Sequence, residues 1–219
     1  MDQVYLKIWQ LAKPYYKKGR VYDIDQINWM MPMANTIAGK EGLNKKILIP
    51  LVILHDVGWS KVGELSPNIK DKETKKIHMK ASAQIAQEIL ENVEYDKKLT
   101  KKIVYYISVH DNWVLGDNKP FEESKEMAFF NDLDFLYVTS SFQTFKTMGE
   151  SMSMNPKEFY QFWQNDEKLV NRPFCCEETG KMFEESMRKI KKEINSYEKQ
   201  SENQSFSHRH PQPREKGKI

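Results

Sequence analysis

The chain has 219 residues, 39% hydrophobic and 30% charged, enough apolar material for the core of one ordinary domain. Its longest apolar run, ILIPLVIL at 47–54, is broken by a proline and falls far short of the roughly 20 residues a membrane-spanning helix needs. A net charge of +3, from 34 basic against 31 acidic residues, with lysine pairs interspersed among acids, lacks the concentrated basic stripe of a nucleic-acid binder.

Glycine is scarce and the apolar spacing is helical over most of the length. It predicts a first helix over 4–17, with Pro14 set to end it early, and a second over 25–40, with a kink or short break at Pro32. A short, very apolar helix follows at 45–55. The clearest amphipathic helices cover 73–92 and 96–110. Residues 122–145 read as one long helix or two in tandem, and helices over 156–164 and 177–197 complete the set. From about residue 195 the chain turns polar and proline-punctuated, which reads as a disordered tail. The expectation is therefore an all-α protein with a single helical bundle domain over 1–194 and a polar tail over 195–219. Surplus apolar helix faces leave room for a homodimer. The N-terminal segment MDQVYLKIWQ has no basic stretch leading into an apolar one, so a cytoplasmic protein is expected. Cys175 and Cys176 are adjacent, which suits neither a disulfide framework nor a zinc knuckle, and they read as ordinary buried thiols.

Chemistry concentrates around three histidines. His55 follows the apolar run and precedes Asp56, and Leu48, Leu51 and Val52 precede it at helical spacing. His78 heads the stripe Ser82, Ile85, Ile89. His110 ends the stripe Ile103, Tyr106, Ile107 and again precedes an acid, Asp111. Two further acids, Asp132 and Asp134, sit in the apolar stretch NDLDFLYV. One inward histidine usually means a core imidazole hydrogen-bonded to a carbonyl. Three of them, with carboxylates on inward helix faces, are costly to bury unless paired or ligated, and mixed imidazole–carboxylate donors suit a divalent metal. For the acid pair, a helix cap or salt bridge is the alternative. His208 and His210 in the tail read as solvated.

In the order of these parts, LHDVGWS (54–60), a downstream helical histidine, ISVHD (107–111) and a terminal DLDFL (132–136), the chain resembles the HD-domain superfamily of metal-dependent phosphohydrolases. The resemblance spans about residues 20–145. It implies an all-α fold around a metal site holding Mn, Fe, Co, Ni, Zn or Mg, and hydrolysis of a small phosphorylated substrate, nucleotides included, by a metal-activated water. In mononuclear members a first histidine, the His-Asp doublet and the terminal Asp hold one ion. Carried over, these are Gln26, His55, Asp56 and Asp134, with Asp132 as the alternate. In dinuclear members Asp56 bridges to a second ion held by His78 and His110. The chain departs from the pattern at Gln26, since no histidine precedes His55. Gln26 shares a stripe with Met30, Met33 and Ile37, and its neutral amide is a poorer ligand. An HD module that binds without turnover is the competing expectation.

Catalytic roles fall to Asp56, Lys61 and Asp111, the last orienting His110 or moving protons. Lys61, Lys80 and Arg20 are candidates to bind the substrate phosphate, Lys61 foremost because it follows the doublet closely. Each otherwise reads as a surface charge. Trp29, Trp59 and Trp113 lie near proposed site residues, as pocket walls or as core packing.

Overall fold

At the centre stands α3 (Lys45–Leu54), buried at every residue from 47 to 54, as a helix apolar all round must be. The structure, a computed structural model, describes residues 2–62 and 71–207. Among these it is all α-helix, with no strand. Around α3 pack α1 (Gln3–Lys18), α2 (Asp23–Lys40), α6 (Lys97–Ser108) and α8 (Lys125–Tyr137). The short α4 (Trp59–Val62) and the long α5 (Lys72–Asn92) close one side, and α5 lies along α6. After a 3₁₀ turn at Asn112–Leu115 and α7 (Lys119–Glu123), the chain passes through α8 into α9 (Phe142–Ser151), α10 (Pro156–Gln164), α11 (Lys168–Asn171) and α12 (Glu177–Ser207). No described helix is long and apolar enough to cross a membrane.

Helix boundaries follow local chemistry. Asp2, Asn44, Asp71, Asp96, Ser124, Ser141 and Asn155 each cap a helix with a side-chain oxygen. Ser124, extended at φ −138 and ψ 122, separates α7 from α8, and Ser141 starts α9. The segment expected as one helix or two over 122–145 is thus divided among three. Pro14 and Pro32 both lie inside uninterrupted helices. Each removes one backbone donor, but the buried neighbours Ala12 and Tyr16, or Met30, Met31 and Ala34, hold the helix against the core. Pro50 likewise cannot donate to the carbonyl of Lys46, and the Tyr95 hydroxyl donates to that oxygen instead, at 2.8 Å. Helix α12 runs past residue 195, where the tail was expected to begin. That stretch contains neither Gly nor Pro before Pro211, and Ile194 is the last buried residue among the described side chains. Residues 208–219 of the expected tail lie outside the described residues.

The core has two parts. The larger collects α1–α3, α5, α6 and the first half of α8, with Phe129, Phe130 and Leu133. The smaller joins Val138 to Phe145, Phe159, Trp163, Met187, Ile190 and Ile194 from α9, α10 and α12. Helix α8 serves both, so whatever lies beside its middle is walled by two separately packed groups.

Two glycines set how closely the chain around the His-Asp doublet approaches its neighbours. A Cβ on Gly58 would stand 2.3 Å from the His78 carbonyl oxygen and 2.4 Å from the Ser82 nitrogen. Instead the Gly58 N–H donates to Ser82 Oγ at 2.9 Å, clamping the turn after the doublet onto α5. Gly19 makes a similar approach to the backbone of Trp59 and Ser60. Gly58→Ala is expected to lose about 2–3 kcal/mol by overpacking against backbone. Gly180→Ala, in α12 with nothing nearer than 4.0 Å to its Cβ, is expected to gain about 0.5–1 kcal/mol. Urea denaturation of the two variants checks both signs.

Candidate metal centre

Both His-Asp doublets sit just past a helix C-terminus. His55 follows α3 and donates its backbone N–H to Leu51. His110 lies two residues beyond α6, which stops at Ser108 rather than reaching His110 as expected. The last turn of a helix leaves carbonyls without intrahelical donors, and each imidazole uses one. His55 Nδ1 bonds Val52 O at 3.0 Å and His110 Nδ1 bonds Ile107 O at 2.7 Å. A carbonyl only accepts, so each Nδ1 carries the proton and each Nε2 is left with its lone pair. His55 Nε2 is buried without any hydrogen-bond partner among the described residues.

These lone pairs converge on Asp56. Its Oδ1 lies 2.9 Å from His78 Nε2 and 3.4 Å from His110 Nε2, and the two Nε2 atoms are 3.1 Å apart. Donors that share an ion at about 2.0–2.1 Å stand about 3.0–3.4 Å apart, so these separations fit one divalent cation. Asp56, His78 and His110 are all buried, and their ligand atoms lie within 4.8 Å of one another. The first ligand set borders this group: His55 Nε2 is 3.5 Å from Asp56 Oδ2 and 3.8 Å from Asp134 Oδ1. Gln26 reaches the same place from α2, donating from Nε2 to Asp134 Oδ1 at 2.6 Å. Helical spacing therefore located Gln26 correctly, but its amide is spent on the carboxylate that would otherwise ligate beside His55.

Electrostatics favour a cation here. Arg20 pairs with Asp23 at 2.9 Å, and Lys75 with Asp111 at 2.5 Å. Besides the imidazoles, Asp56 has only the shared Arg20 at 4.0 Å and Asp134 only the neutral Gln26 amide for close partners among the described residues. Burial alone would raise the Asp56 pKa, but the neighbouring His55 and His78 hold it well below the usual carboxylate range. Burial pushes His78 down to about 4, keeping it in the neutral form a metal requires. His110 is raised, because Asp111 and Asp56 together outweigh its burial. Burial raises the Asp134 pKa, with His55 opposing. Trp59 stacks on His78 with centroids 4.3 Å apart and planes 17° apart, fixing the ring whose Nδ1 has no partner.

The other expected site residues divide. Asp132 faces away from the centre: Lys168 Nζ donates to its Oδ1 at 2.7 Å, and the Cys175 N–H and Thr179 hydroxyl donate to its Oδ2 at 2.9 and 2.8 Å. This is the salt-bridge alternative, and it ties α8 to α11 and α12. Asp111 is near His110 but does not orient it, since the Ile107 carbonyl does. Its carboxylate accepts from Lys75 and from Trp113 Nε1. Lys61 is exposed on α4, whose other residues are buried. Lys80 is exposed in a separate groove with Lys76 and Met79, two residues past His78 and so on another face of α5. Trp59 and Trp113 border the site, whereas Trp29 packs against Tyr137 outside it. Cys175, expected to be buried, is exposed in the turn before α12, and Cys176 is half-buried.

A cavity of about 150 Å³ opens beside the cluster, bounded by Arg20, Gln26, His55, Asp56, Asp134 and residues from α8–α11. Lys75, Lys168 and Arg172 also line it and were not anticipated. For Lys75 the signal was present, because 75, 78, 82, 85 and 89 form one helical stripe. Lys168 and Arg172 come from a segment with no link in sequence to the doublets. No protein-family profile, curated protein or solved structure matches the chain. The buried Asp/His group in an all-helical protein is compatible with an HD-like arrangement.

Titration calorimetry with Mn²⁺, Co²⁺ or Zn²⁺ is expected to lose at least about 100-fold in affinity in His78→Ala or His110→Ala. Asp132→Asn is expected to leave metal affinity intact yet destabilise the fold by about 3 kcal/mol, because it strands the buried Lys168 charge.

Proposed function

We propose that the protein is a metal-dependent phosphohydrolase of the HD type acting on a small phosphorylated molecule. The observation that carries this reading is the convergence of His55, Asp56, His78, His110 and Asp134, from segments far apart in the chain, beside a cavity that also contains cations. Asp56, His78 and His110 would hold a divalent ion, which would supply Lewis acidity there, lowering the pKa of a water and offsetting charge on phosphoryl oxygens.

The chain's own groups supply the remaining parts. Val52 O and Ile107 O accept from the Nδ1–H groups of His55 and His110 and so turn each Nε2 toward the site. Arg172 is the best-placed group for a substrate phosphate. Among the described residues its guanidinium donates to the neutral amides of Asn131 and Asn118, at 3.3 and 3.0 Å, which leaves its charge available for an anion. Arg20 and Lys75 are already paired with carboxylates and set the field around Asp56. Asp111 steadies Lys75 while its Oδ2 stands 3.5 Å from His110 Nε2.

One observation favours a second reading. Gln26 stands where the resemblance calls for a histidine, and its hydrogen bond occupies Asp134. A protein so altered would bind a phosphorylated ligand without turning it over.

A panel of phosphate monoesters with Mn²⁺, Co²⁺, Ni²⁺ and Mg²⁺ separates the two. The hydrolase reading predicts turnover that falls at least about 100-fold in His55→Ala, and a raised KM with little change in kcat in Arg172→Met. Gln26→His is expected to raise metal occupancy. Metal-free protein with no turnover at millimolar ion would leave the binding module.

A further inference from the structure

Beyond the cluster, the cavity continues into a wall that phosphoryl chemistry does not use. Phe135, Val138, Met148, Met152 and Trp163 line it from α8, α9 and α10, where the second core group meets the first. Trp163 is 8% exposed, and its indole Nε1 is buried with no hydrogen-bond partner among the described residues. A buried N–H left unpaired is costly, and an acceptor on a ligand would satisfy it. Phe135 stacks on the indole, with centroids 4.5 Å apart and planes 12° apart, holding that ring in place. Methionines opposite aromatic rings make an adaptable apolar surface.

Resting on the phosphohydrolase reading, we infer that this wall selects the organic half of the substrate: a compact, uncharged group of single-ring size bearing an acceptor for Trp163. Size sets the upper bound. The whole cavity, its end beside Asp56 and Arg172 included, is about 150 Å³, the size that takes up benzene, so a single ring with its phosphate already fills it and a base with a ribose exceeds it. The wall's chemistry sets the second limit. Phe135, Val138, Met148 and Met152 offer a charged organic group no partner and would only desolvate it, whereas a neutral ring bearing an oxygen meets apolar surface and the Trp163 N–H.

The test uses the full chain loaded with Mg²⁺, with 4-hydroxybenzylphosphonate and methylphosphonate as probes for calorimetry. The indole N–H resonance of Trp163 is followed by NMR. 4-Hydroxybenzylphosphonate is expected to bind at least about tenfold tighter than methylphosphonate and alone to shift the Trp163 signal. Trp163→Phe should shrink that preference while leaving methylphosphonate binding unchanged. The titration of the unaltered protein stands without the variant, should the variant fold poorly. Equal affinities, an unmoved Trp163 signal, or tighter binding of adenosine monophosphate or 2-aminoethylphosphonate than of 4-hydroxybenzylphosphonate would overturn the inference. 4-Methylphenol covers failure of the parent reading. If neither phosphonate binds but 4-methylphenol shifts Trp163, the ring pocket stands and the phosphoester reading falls; if 4-methylphenol also leaves the signal unmoved, both fall.

Discussion

A single carboxylate, Asp56, sits where three imidazoles meet, buried to 7% exposure. His55, His78 and His110 all place Nε2 within 3.5 Å of one of its oxygens. Such a concentration of donors away from water is unfavourable unless each charge is answered, and the surrounding structure is arranged to answer them. Gly58 permits the approach of α5 that brings His78 in, Trp59 stacks on the imidazole, and two helix ends lend their spare carbonyls to His55 and His110. Displacing any of these would turn or move an imidazole away from the carboxylate it now faces.

The remaining charges are sorted by distance from that point. Nearest to it, Arg20 and Lys75 are neutralised by Asp23 and Asp111, leaving the centre an excess of negative charge that a divalent ion would balance. Farther along the cavity, Lys168 is absorbed by Asp132 in a buried pair that joins α8 to α11 and α12. Arg172 alone of these cations is held by amides. One cavity wall thus combines an anchor for the fold with a charge free to meet an anion, although both side chains come from the same short stretch of chain.

The division of the core gives the cavity its two characters. Helices α1–α3, α5, α6 and the first part of α8 pack into one group, and the candidate ligands sit on it or on the turns after α3 and α6, apart from Asp134 farther along α8. Helices α9, α10 and α12, with the end of α8, pack into another that supplies aromatic and methionine side chains but no ligand. A pocket at the meeting of two such groups can keep its polar end fixed while its apolar end is shaped separately, a common setting for ligand sites.

Much of this was legible in the residues themselves. Helical periodicity named α1, α2, α3, α5, α6 and α10 to within a few residues, and it placed His55, His78, His110 and Gln26 on inward stripes, because burial repeats with the turn of the helix. Local chemistry does not say where a helix stops against its neighbours. The end of α6 before His110, the division of 122–145 at Ser124 and Ser141, and the persistence of α2 through Pro32 all depend on packing. Sequence proximity also misled for the cations. Lys61 and Lys80 are close to the doublet and to His78 along the chain but point elsewhere, whereas Lys168 and Arg172 arrive from more than a hundred residues beyond Asp56. The chain by itself determined an all-helical protein with imidazoles and carboxylates turned inward. Only the tertiary structure decided which of them share a partner, since meeting across a core depends on the relative placement of separate helices, which no local spacing encodes.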